Sequence, residues 1–222
     1  MDEPSSLTRP WGLGDALVAV FLGYAGAILV SGALGMDASS PISQRFVANI
    51  PLWAALLAVP IVVTRQRGRG PVTDLRLAVR PVALLAVPLG GLAQLVIGWS
   101  YAPFVDRDRL EEPARELARV AQGTSGKVLL VAMTVVIAPV VEEVFYRGLV
   151  LRSLRRALTP PVAAVVCGLV FAVMHFQPLQ LPGLAAFGTL VAALALWSGR
   201  LGPAVLAHLG FNLVALFVAD VF

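Results

Sequence analysis

Long uncharged stretches dominate this sequence: Ala16 to Leu34 (19 residues), Phe46 to Val63 (18), Pro81 to Tyr101 (21) and Leu181 to Gly199 (19). An apolar run of about 20 residues is the length at which an α-helix crosses the hydrocarbon core of a bilayer. Lipid offers the backbone no hydrogen-bond partners, so such runs cross as helices closed on their own hydrogen bonds. Three further runs extend the pattern: Val128 to Val141 (14), Thr159 to Met174 (16) and Leu201 to Ala219 (19), the last interrupted by His208 and Asn212. The fold class this predicts is all-α, a polytopic transmembrane bundle of about seven membrane helices. Composition agrees, because 14% of residues are charged where soluble domains carry about a quarter. A water-soluble globule is excluded.

The formal net charge of +4 raises the question of nucleic acid, but the basic residues are scattered among apolar spans and form no aromatic-interleaved basic face. No nucleic-acid partner is expected, and the bilayer itself is the first partner. The charge instead reads as topological. With a cytoplasmic N-terminus, the inner segments hold Arg9, Arg65, Arg67, Arg69, Arg76, Arg80, Arg147, Arg152, Arg155, Arg156 and Arg200, 11 of the 17 basic residues. The outer segments hold Arg45, Arg107, Arg109, Arg115, Arg119 and Lys127, most of them mixed with acids. The positive-inside rule then predicts a multi-pass cell-membrane protein, N-terminus in and C-terminus out. Asp106 to Val120 reads as a solvated amphipathic helix on the outer surface, followed by a Gln122-Gly123-Thr124-Ser125-Gly126 linker. No repeat or separate soluble domain is visible, so residues 1–222 read as one membrane-embedded domain. The lone Cys167 reads as a small buried residue.

Charged and polar side chains inside apolar spans are costly, and their first reading is functional. They concentrate in the C-terminal half. Glu142 and Glu143 follow Pro139, where a kink is expected, and neighbouring helical residues point about 100° apart. Glu143 and Arg147 are four apart in the favourable order for an intrahelical pair, which leaves Glu142 without a local partner and suited to act as a base. If the chain reverses near Thr159-Pro160-Pro161, Glu142 lies 17 residues before the turn and His175 lies 16 after it. At 1.5 Å per residue both then sit about 25 Å from the apex and can meet across one hairpin. His208 and Asn212, four apart, share a helix face. Alone they read equally well as a hydrogen-bonding link between helices. Together, one carboxylate, two imidazoles and an amide in an apolar bundle can activate water and stabilise an oxyanion.

Glu142-Glu143-x-x-x-Arg147, Phe171-x-x-x-His175 and His208-x-x-x-Asn212, in that order, resemble the three motifs of the CPBP family, also called Abi or type II CAAX prenyl endopeptidases. The resemblance covers about Gly126 to Phe222 and implies that the four C-terminal helices form a CAAX-protease-like catalytic core. It implies an intramembrane endopeptidase of glutamate or metal type acting on a membrane-associated protein or peptide. Glu142 with His175 would activate the attacking water, His208 and Asn212 would stabilise the oxyanion, Glu143 and Arg147 would support them, and Phe171 would be a packing position. Glu142, His175 and His208 are also a set that can hold zinc with one position open, although the His-Glu-x-x-His signature is absent. A metal-free reaction is the preferred reading and a divalent metal is left open. Sixteen Arg to one Lys points to a GC-rich bacterial gene. Two other classes compete: a non-catalytic scaffold or bacteriocin-immunity-type protein on the same fold, and a small proton-coupled transporter. Natural substrate and oligomeric state are not legible.

Overall fold

The computed structural model describes residues 11–77, 81–101 and 103–220. Arg9 and Arg80, counted above with the inner basic residues, lie outside this set. Among the described residues eight helices follow one another: α1 (Leu13–Ala33), α2 (Ile42–Arg67), α3 (Pro81–Tyr101, opening in a 3-10 turn), α4 (Arg107–Val120), α5 (Gly123–Leu154), α6 (Pro160–Val173), α7 (Leu181–Ser198) and α8 (Gly202–Val218). A single helical turn, Pro71–Asp74, lies between α2 and α3. Among the described residues there is no strand.

Seven of the eight helices are apolar, and α4 is the amphipathic one the charge pattern predicts, its first turn capped by the Asp106 carboxylate accepting from the Asp108 amide. α1, α2, α3, α5 and α7 are long and apolar enough to cross a membrane, whereas α6 and α8 have 14 and 17 residues. At 1.5 Å per residue α6 is about 21 Å long, shorter than the bilayer's hydrocarbon core of about 30 Å. Large side chains such as Phe21, Leu29, Trp99, Trp197 and Phe217 point outward from the bundle, as lipid-facing side chains do.

The helices pair as α1 with α2, α3 with α8 and α6 with α7, around α5. Small residues set two of these pairs. A Cβ on Gly90 of α3 would stand 1.7 Å from the Ala207 carbonyl oxygen of α8, and one on Gly210 of α8 would stand 2.0 Å from the Val87 carbonyl oxygen. One on Gly168 of α6 would meet Thr189 Oγ1 of α7 at 2.4 Å. Backbones this close gain dispersion contacts that larger side chains would prevent.

The structure corrects the expected course of the chain in three places. The run Val128 to Val141 is not a short span ending at the carboxylates, because α5 continues for 32 residues through Glu142 and Glu143 to Leu154. Pro139 lacks an N–H, and α5 takes up the irregularity in π-helical stretches on both sides, Ala132–Ile137 and Val144–Val150; such wide turns inside α-helices are frequent at functional sites. The expected Gln122–Gly126 linker is mostly helix, since α5 begins at Gly123. Finally, Arg147 is not an inner-surface charge: its side chain is fully buried against Glu143, so it carries no topological information. Cys167 is buried as expected, its thiol donating to the Tyr146 carbonyl at 3.4 Å.

Candidate active site

All seven motif residues lie on α5, α6 and its C-terminal turn, and α8. The 100° divergence of adjacent helical residues separates the two glutamates. Glu143 points into the protein interior and is fully buried, while Glu142 faces a cavity with its side chain 20% exposed. Glu142, without a partner on its own helix, faces two groups from elsewhere: its Oε2 is 3.9 Å from His175 Nε2 and 3.8 Å from His208 Nε2. The hairpin argument from equal distances to the Pro160 turn is thus met by the geometry, with His175 just past the end of α6.

Both imidazoles are held by their other nitrogen. His175 Nδ1–H donates to the Phe171 carbonyl at 2.7 Å, and His208 Nδ1–H donates to Glu143 Oε1 at 2.8 Å. Each of those partners accepts, so the proton of a neutral ring sits on Nδ1 and Nε2 presents its lone pair. Glu142 therefore faces two nitrogen acceptors across gaps too long for direct hydrogen bonds. A water or a proton is what such a set of acceptors can share.

Behind this set lies a buried ionic core. Glu143 Oε1 accepts from Arg147 Nη1 at 2.9 Å as well as from His208, and Arg147 Nη2 donates to the Gly188 carbonyl of α7 at 3.0 Å. Phe171 covers the guanidinium, with Arg147 Cζ 4.8 Å from its ring centroid, and touches both imidazoles, its centroid 4.4 Å from that of His175 and 5.6 Å from that of His208. Its predicted packing position is therefore a contact shared by the Arg147 guanidinium and both imidazoles. Asn212 Nδ2 donates to the Thr134 carbonyl at 2.7 Å, which makes the link between helices that the sequence left open. It uses one of the two amide hydrogens, and Asn212 also lines the cavity.

That cavity, of about 600 Å³, runs from Glu142, His175 and His208 along α3 and beneath α4. Its wall is mostly apolar, with the neutral polar groups of Gln94, Tyr101, Gln177 and Gln180 placed along it. Gln180 Nε2 ties the α6–α7 turn to the Leu110 carbonyl of α4 at 2.7 Å. The sequence reading missed these parts: Pro81 to Tyr101 showed only apolar length, Asp106 to Val120 read as a solvated surface helix, and the acceptors at Thr134 and Gly188 are backbone carbonyls that no side-chain pattern marks.

Zinc ligands bonded at about 2.0–2.1 Å in a tetrahedron stand about 3.3 Å apart. The 3.8 and 3.9 Å gaps from Glu142 to the two imidazoles are wider, and among the described residues no group of three His, Cys, Asp or Glu converges on a common ion position. As placed, the set does not fit zinc.

No curated protein and no solved structure matches the chain. A family model described as type II CAAX prenyl endopeptidase Rce1-like does match, over residues 124–214, and this stretch contains every motif residue from Glu142 to Asn212. Through its C-terminal helices the chain thus matches the membrane endopeptidase family that its three motifs resemble.

Proposed function

We propose that this protein is an intramembrane endopeptidase that hydrolyses a peptide bond of a membrane-associated protein or peptide with a water activated by Glu142 and His175. The observation that carries this reading is the convergence of Glu142 Oε2 with two imidazole Nε2 atoms at 3.9 and 3.8 Å, at the inner end of a mostly apolar cavity. A water between Glu142 and His175 gives one proton to the Glu142 carboxylate as its oxygen attacks the scissile carbonyl carbon. The proton then passes to the leaving nitrogen as the carbon–nitrogen bond breaks, and Glu142 returns to its starting state. The developing oxyanion is met by His208 and Asn212. For His208 to donate from Nε2 it must carry both ring protons. The site then holds two carboxylates, a guanidinium and an imidazolium, and its charges sum to zero. This reaction needs no metal. The 126–222 segment supplies the catalytic groups within one membrane-embedded domain, with N-terminus in and C-terminus out by the distribution of Arg.

The test is cleavage of a library of membrane-tethered peptides by the full chain in nanodiscs, with Glu142→Gln beside the wild type. The expected result is turnover that survives a chelator in the wild type and disappears in the variant at unchanged thermal stability. A wild type that cleaves nothing would favour the scaffold or transporter readings, and chelator loss reversed by zinc would restore the metal.

A further inference from the structure

His175 sits in an exposed kind of position for a residue of such consequence. It lies beyond the last residue of α6, in a turn closed by its own backbone: the Met174, His175 and Phe176 amides donate to the Val170, Ala172 and Val173 carbonyls. The turn carries a second mark: Phe176, which follows His175, has φ +54°, a left-handed conformation that non-glycine residues rarely adopt. Local hydrogen bonds close such a helix end; what braces the turn against the rest of the bundle lies outside it.

The structure shows what does. Tyr24, half-buried at the middle of α1, donates its hydroxyl hydrogen to the Met174 carbonyl at 2.9 Å, satisfying one of the orphan acceptors at the end of α6. The edge of the same side chain meets the Phe176 ring at 5.8 Å and 88°. One tyrosine therefore fastens both chain neighbours of His175, the residue before by its backbone oxygen and the residue after by its ring. Tyr24 is itself fixed, because its neighbour Gly23 is buried where an added Cβ would lie 2.8 Å from Leu52 of α2.

We propose that Tyr24 is the positioning residue for His175, so that the bundle's first helix takes part in the site although the family match begins at residue 124. The proposal rests on the reading of His175 as a catalytic group. It assigns to α1 a role beyond filling the membrane: without the tyrosine hydroxyl, the His175 turn loses its outer fastening, and Nε2 is no longer kept at its distance from Glu142.

The protein has two histidines, and that allows a test separate from turnover. In nanodiscs, full-length protein labelled with ¹³C at the imidazole carbons gives two sets of histidine signals, assigned with His175→Ala. Tyr24→Phe keeps the ring on Phe176 and removes only the hydrogen bond. The His175 signals should shift or broaden while those of His208, anchored on Glu143, stay in place. In the same preparation kcat should fall about fivefold to tenfold, the loss expected of one such hydrogen bond, with KM unchanged. Tyr24→Leu, which loses the ring contact as well, should lower kcat further. Tyr24→Phe with wild-type His175 signals would overturn the proposal whatever the turnover, and so would equal disturbance of both histidines. If the wild type cleaves nothing, the endopeptidase reading falls, and the His175 signals alone decide whether Tyr24 positions the turn.

Discussion

Glu143 and Arg147 form a fully buried ion pair at 2.9 Å, and the same carboxylate oxygen holds His208 at 2.8 Å. Glu143→Gln is nearly isosteric but removes the charge. Arg147 is then left with neutral acceptors, the Gln oxygen and the Gly188 carbonyl, and the Phe171 ring face as compensation for a guanidinium out of water. Breaking a buried pair by neutralising one partner costs about 3–5 kcal/mol. For a chain of this size each kcal/mol lowers the melting point by about 2–4 °C, so a fall of about 6–20 °C is expected. Turnover should fall too, because the uncharged Gln oxygen is a weaker acceptor for His208 and no longer balances the positive charge beside it. Thermal unfolding in nanodiscs, followed by tryptophan fluorescence, measures the first effect. The double variant Glu143→Met with Arg147→Met removes both charges and should recover most of the lost stability, since apolar replacement of a buried pair is often neutral. The reasoning is refuted if the single variant melts with the wild type, or if the double variant loses as much as the two single losses together.

Gly90→Ala should lower thermal stability and turnover together, because the new Cβ would lie 1.7 Å from the Ala207 carbonyl oxygen and α3 forms one wall of the cavity. Gly32→Ala on α1, with nothing within 4 Å of its added Cβ, should leave both unchanged in the same melting and cleavage assays. Asn212→Ala should cost about 1 kcal/mol for the lost bond to Thr134 and, if its second amide hydrogen serves the oxyanion, about 10²–10³ in turnover per folded molecule. A melting loss with unchanged turnover would leave it as a link between helices. For orientation, Arg69→Cys and Arg119→Cys replace side chains 77% and 62% exposed at opposite ends of the bundle. An impermeant thiol reagent should reach the first from the cytoplasm and the second from outside, and the reverse pattern would invert the topology.

Much of the candidate site was legible because two helical regularities act over short distances. The 100° step sends Glu142 and Glu143 to different environments, and the 3.6-residue repeat pairs Glu143 with Arg147 and places His208 and Asn212 on one face. Counting residues to the Pro160 turn was enough to set Glu142 and His175 at one depth. The sequence could not show that α5 runs unbroken through Pro139, because the π-helical turns that make room for it arise from packing on both sides rather than from any residue preference. Nor could it show that Arg147 is buried: an arginine four residues past a carboxylate reads the same whether that helix ends at a membrane surface or continues through the core.

What the sequence determined by itself, then, is whatever follows from hydrophobic length and helical period: an all-helical membrane bundle, the amphipathic character of α4, and the separation of the two glutamates. What only the tertiary structure decided are the partners contributed by distant segments. Glu143 is shared between Arg147 and His208, Gly188 and Thr134 lend their carbonyls, α3 and α4 wall the cavity, and Tyr24 fastens the turn of His175 from 150 residues away. The physical reason is the same in each case. In lipid the apolar surface of a helix is indifferent to its neighbours, so apolar periodicity tells which segments enter the membrane but not which will touch. That is decided by close-fitting glycines and by backbone carbonyls, which become specific only when helices are brought together.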